Sequence, residues 1–108
     1  MYPKGDMSKM LKKVQLLQEK MAKAQNELNQ LRAEGQSGGG MVTVVANGKK
    51  DIVSVKIDPE VMQEDVEFVE DLIFAAVNQA LEKASDVAEE KMNSVSGGML
   101  GGLKIPGL

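Results

Sequence analysis

Residues 41–57 read MVTVVANGKKDIVSVKI: two β-branched runs separated by an Asn-Gly pair. Asn-Gly between such runs is the strongest short-range hairpin signal, because both residues tolerate the positive φ angles of a tight turn. Met41–Ala46 and Ile52–Ile57 are therefore expected to be antiparallel strands, with Lys49, Lys50 and Asp51 lengthening the loop. In the second run Val53, Val55 and Ile57 alternate with Ser54 and Lys56, so the three apolar residues are expected to face the core. On this reading Val55→Asp would bury an unpaired carboxylate and unfold the chain. A lone two-stranded hairpin is marginal in water, so helices or a second sheet must cover it.

Helices flank the hairpin. Upstream, Met7, Met10, Val14, Leu17, Met21, Ala24, Leu28 and Leu31 follow one another at alternating intervals of three and four. This is the heptad seam of a helix that packs on another helix. No proline or glycine falls between Met7 and Glu34, so the helix is expected to run from a Ser8 N-cap to a Gly35 C-cap. Residues 35–40 (Gly-Gln-Ser-Gly-Gly-Gly) read as a flexible connector. Downstream, Asp58-Pro59 closes the strand and opens a short helix around Pro59–Met62. A long helix is then expected from Glu64 or Asp65 to Val95, with an apolar stripe of Val66, Val69, Ile73, Ala76, Val77, Ala80, Ala84, Val87, Ala88 and Val95. The result is a single α+β domain over residues 7–95. Residues 1–6 are read as a native extension or an expression scar, and 96–108 as a flexible Gly-rich tail.

The 108 residues include no cysteine and no histidine. Ser-His and Cys-His nucleophilic catalysis and the common zinc sites are thereby excluded, and no enzyme, cofactor or small-molecule substrate is expected. The Gly35–Gly40 cluster lacks the Gly-Lys-Ser/Thr ending of a phosphate-binding loop and precedes a strand. The acids Glu64, Asp65, Glu67, Glu70 and Asp71 lack calcium-loop spacing and suit a helix start, so no metal is expected. No apolar run is long enough to span a bilayer, and a membrane partner is not expected.

The net charge of −3 conceals a division. Residues 1–56 hold ten Lys/Arg and five Asp/Glu; residues 57–108 hold three and eleven. On the first helix Lys9, Lys12, Lys13, Lys20 and Lys23 fall within an arc of about 100°, apart from the apolar seam. A segregated lysine face suits phosphate contact. Lys49, Lys50 and Lys56 are secondary candidates. Arg32 is the only arginine, and the aromatics are Tyr2, Phe68 and Phe74. That scarcity argues against guanine reading and base stacking. The two phenylalanines read as core or interface residues. Eight methionines suit adaptable packing surfaces.

In order and spacing the chain resembles the YbaB/EbfC family of bacterial nucleoid-associated proteins over about residues 7–108. The matching pieces are Gln-Leu-Leu-Gln-Glu-Lys-Met at 15–21, Gly-Gly-Gly-Met-Val-Thr-Val at 38–44, Asn-Gly-Lys at 47–49 and Val-Lys-Ile-Asp-Pro-Glu at 55–60. Further on come Glu-Asp-Leu-Ile at 70–73, Ala-Val-Asn-Gln-Ala-Leu at 76–81, Gly-Gly-Met at 97–99 and a closing Pro-Gly-Leu. The resemblance implies a homodimer with a sheet built from both subunits, helices projecting like tweezers, and duplex DNA as partner, in the cytoplasm and nucleoid. It does not carry a defined set of base-reading residues. Val14, Leu17, Met21, Leu28, Val53, Val55, Ile57 and Ile73 are the expected core and dimer residues. The rival expectation is an adaptor that uses its coiled-coil-like helices on a protein partner.

Overall fold

A computed structural model describes the backbone of residues 4–100 and the side chains of residues 7–95. The elements are helix α1 (Lys4–Leu28), strands β1 (Arg32–Ser37), β2 (Val42–Asn47) and β3 (Ile52–Ile57), and helix α2 (Val66–Leu100). Short 3₁₀ segments occupy Gly38–Gly40 and Pro59–Gln63. The strands form one antiparallel sheet in the order β1-β2-β3. The α+β class holds, as do the long helices on either side of the strands.

The principal correction concerns residues 29–40. The first helix ends at Leu28, not Glu34, and the supposed connector is largely a third strand. Asn29 and Gln30 turn the chain, their backbone N–H groups bonding the carbonyls of Asn26 and Glu27. Arg32 then donates from Nη1 to the carbonyls of Asn29 (2.7 Å) and Leu31 (2.9 Å). Carbonyls at a helix end lack intrahelical partners, and a guanidinium meets that need. Gly35 is no C-cap. It lies in β1 under α2, where an added Cβ would overlap the Ala76 carbonyl oxygen and sit 2.5 Å from the Ala80 nitrogen. Gly38, Gly39 and Gly40 have φ of 60°, 68° and 96°, so this turn needs residues without a Cβ.

One face of the sheet carries Ala33, Gly35 and Ser37 of β1 beside Val42, Val44 and Ala46 of β2. All but Ser37 are buried. Ala76, Ala80 and Ala84 of α2 pack on them, and small residues on both sides allow the close approach. Ser37 Oγ donates to the Leu72 carbonyl (2.5 Å), and Gln36 N–H donates to Gln79 Oε1 (2.6 Å). Helix α2 thus runs antiparallel along β1.

Strand β3 lies to the side of α2. Val55 pairs with Val44 and Ile57 with Val42, so they share the helix-facing side, but α2 does not reach far enough to cover them. A register shift between Val45 and Ala46 places Val53 in a bulge. Val53 and Val55 are 48% and 46% exposed, so neither is in the core of the chain as expected from their alternation. Ile57 and Ile73 do pack against that core. Phe68 and Phe74 are not core residues either; Phe74 is 69% exposed. Val66, expected in the buried stripe, is exposed.

Other boundaries also move. Helix α1 begins by Lys4, so Ser8 is inside it and is no N-cap, and residues 4–6 belong to the fold. Helix α2 continues through Gly97-Gly98 to Leu100. The rest of the expected tail, 101–108, lies outside the described residues. The Asp58-Pro59 reading holds: Asp58 Oδ1 accepts from Glu60 N–H at 2.9 Å and opens the Pro59–Gln63 turn. The hairpin loop is longer than Asn-Gly, as the following lysines suggested. Asn47 Oδ1 accepts from Lys49 N–H and Asp51 N–H, and Lys50, at φ 66°, supplies the left-handed residue.

Candidate nucleic-acid interface

The position of α1 follows from its root. Gly48 N–H, at the hairpin tip, donates to the Leu28 carbonyl (2.8 Å), so the sheet holds the end of the helix. Leu31 lines a shallow groove with Val87, Glu90, Lys91 and Ser94 of α2. Four residues back along α1, the Glu27 carboxylate pairs with Lys91 Nζ at 2.5 Å. Ala24 is buried, and Leu17, Met21 and Leu28 of the seam are half-buried. Residues 7–16, by contrast, are all exposed. The molecule is 76 Å long but 29 and 16 Å in its other dimensions. A 35-residue α2 accounts for roughly 50 Å of that length. The remainder is α1, which runs beside the second half of α2 and beyond it as a projecting arm.

Lys9, Lys12, Lys13, Lys20 and Lys23 are all exposed on this arm. Because α1 is one unbroken helix through Leu28, the structure keeps them on one face. From Lys9 to Lys23 the face extends roughly 21 Å. Glu27 closes it at the root. Hydrogen bonding to Lys91 lowers the Glu27 carboxyl from its ordinary range, the charge of Lys91 adds to this, and Lys23 contributes less. Partial burial opposes the shift.

The acids sort by distance from the arm. Glu64, Asp65, Glu67, Glu70 and Asp71 are exposed around the start of α2, roughly 35 Å along that helix from Lys91. Glu82, Asp86, Glu89 and Glu90 are also exposed, and lie on the half of α2 nearer the root. Among the described residues no group of three or more acids is placed to hold a metal ion. No described helix is long and apolar enough to cross a membrane.

Two features here are not visible in the residue pattern. The Gly48–Leu28 bond brings the exposed Lys49 and Lys50 to the root of the arm, beyond the Lys23 end of the ridge. Their only sequence signal is a basic turn. Arg32 is engaged by the carbonyls that end α1, which leaves the single arginine in a structural role. Lys56 is exposed on the sheet face that α2 does not cover.

A long basic helical arm on a small α+β platform defines a class of charged scaffold proteins without catalytic apparatus. The chain belongs to the YbaB/EbfC DNA-binding family, whose model matches residues 4–99. It is 50% identical over 105 residues to a nucleoid-associated protein of Pelotomaculum thermopropionicum, covering 96% of each chain. It is 48% identical over 109 aligned positions to one from Caldanaerobacter subterraneus subsp. tengcongensis, covering 99% of this chain and 95% of that one. The fold is similar to the crystal structure of an uncharacterized protein from Helicobacter pylori, with a TM-score of 0.65 at 21% identity, covering 93% of this chain and 99% of the other.

Proposed function

We propose that this chain is a nucleoid-associated protein that binds duplex DNA as a homodimer, chiefly through phosphate contacts made by Lys9, Lys12, Lys13, Lys20 and Lys23. The observation that carries the reading is the placement of these five exposed side chains on one face of the projecting arm. Each lysine that meets a phosphate releases condensed counterions, which supplies affinity without sequence information. The roughly 21 Å ridge matches the axial length of about six base pairs. With Arg32 engaged at the end of α1 and Phe68 and Phe74 away from the ridge, bidentate guanine reading and base stacking have no residues to perform them. The acidic start of α2 lies at the far end of the molecule, where it repels the duplex least.

The homodimer rests on β3. Its helix-facing side presents Ile52, Val53 and Val55 to solvent, and a second copy is the simplest cover for an apolar sheet edge. Two copies would carry two lysine ridges, so a dimer could grip or bridge duplexes in the nucleoid of a bacterial cytoplasm. The test is a gel-shift titration of the intact protein on duplexes of unrelated sequence at two salt concentrations. Binding that is similar on every sequence and weakens steeply with salt supports the reading. Absence of binding at low salt would favour an adaptor that works on a protein partner.

A further inference from the structure

Seam residues Met7, Met10, Leu11 and Val14 form an apolar strip on the arm, and all four are exposed; Met10 is 68% exposed. On the helical wheel the strip continues the line of Leu17, Met21 and Leu28, which are half-buried where α1 runs beside α2. The cover ends because α2 ends. From the Glu27–Lys91 pair, the nine residues to Leu100 carry α2 about 13 Å outward, to the level of Gln18 on α1. The open strip from there to Met7 is about 16 Å long.

Residues 101–108 read Gly-Gly-Leu-Lys-Ile-Pro-Gly-Leu. Gly101, Gly102 and Pro106 disfavour further helix, so an extended path is the natural continuation. Eight extended residues reach about 26 Å, enough to traverse the open strip. In an extended chain Leu103 and Ile105 fall on one side. We propose that residues 101–108 lie along the outer half of the α1 seam of the same chain, with Leu103 and Ile105 against Met7, Met10, Leu11 and Val14. The helix–helix contact of α1 and α2 is thereby continued by an extended strap.

A segment anchored at the edge of the strip has an effective local concentration in the millimolar range. That favours it over a second copy of the arm at ordinary protein concentrations. The strip also faces away from the lysine arc, so the strap and a duplex can occupy α1 together. The strap would stiffen the arm and keep four large apolar side chains from water.

The chain has no cysteine, so disulfide trapping reports only on introduced pairs. Leu11→Cys with Ile105→Cys places one thiol in the strip and one in the strap. Leu16→Cys with Ile105→Cys is the control, since Leu16 is exposed on the opposite side of α1. The first pair should oxidise about tenfold faster than the control and yield a cross-link at single-chain mass, at any protein concentration. Equal rates, or a cross-link at twice the chain mass, would overturn the proposal. Independently, ending the chain at Leu100 should speed amide exchange of residues 7–16 about tenfold without changing β2. Unchanged exchange there would also overturn it.

Discussion

Gly35 of β1 and Ala80 of α2 are in backbone contact: a Cβ on Gly35 would stand 2.5 Å from the Ala80 nitrogen. This crossing fixes how closely the long helix sits on the sheet, and it depends on a missing side chain on the strand. Gly35→Ala must push α2 away from Val42, Val44 and Ala33, which pack in the same layer. A destabilisation of about 3 kcal/mol is expected from overpacking. Thermal unfolding should show Tm lowered by roughly 15 °C. An unchanged Tm would mean that α2 is not seated on β1 in this way.

Val44 and Val55 are paired across β2 and β3 and share one face of the sheet, yet only Val44 is buried. Their aspartate variants should therefore fail differently. Val44→Asp places a charge in the core and should abolish the cooperative thermal transition. Val55→Asp should keep its helical circular dichroism but sediment at the 11.6 kDa chain mass instead of twice that value. The unfolding expected from the alternation of β3 is replaced by loss of association, because α2 does not extend over that strand. Dimeric Val55→Asp would place the subunit contact elsewhere.

Glu27 and Lys91 join the root of the arm to α2. Since the Glu27 carboxyl is lowered, chiefly by its hydrogen bond to Lys91, the folded state holds that proton less tightly than the unfolded chain does. The contribution to stability is present above the ordinary carboxylate range and is lost as pH falls through the lowered value. Amide protection of residues 24–28 should drop on acidification below that range, and Lys91→Met should remove this component of the drop. An identical acid profile in the two proteins would show that the pair does not hold the arm.

How far the chain could be read from its residues varies along its length. The seam from Met7 to Leu28 and the β-branched runs of β2 and β3 carry strong periodicities, and they became the expected elements. Strand β1 was hidden because Arg-Ala-Glu-Gly-Gln-Ser has no β-branched residue, and Leu31 prolongs the helical spacing by one step. Only packing makes it a strand, through Ala33 and Gly35 beneath α2. The exposure of Val53 and Val55 was hidden for a related reason: alternation tells which side a residue faces, not whether a helix covers that side. The lysine arc was legible because it needs only the angle between successive residues of one helix. The hairpin lysines at the arm's root were not, since a single Gly48–Leu28 bond brings them there.

The most direct test is the salt dependence of duplex binding with Lys12, Lys13 and Lys20 together replaced by Gln. Glutamine is a good helix former and none of the three lies on the seam, so helicity and association should persist. Each lost phosphate contact lowers the slope of log K against log salt by about 0.9. The triple variant should bind more weakly than the parent by a similar factor on every duplex, with a visibly shallower slope. Parental affinity and slope in the variant would contradict phosphate binding by the α1 ridge and shift attention to Lys49, Lys50 and Lys56.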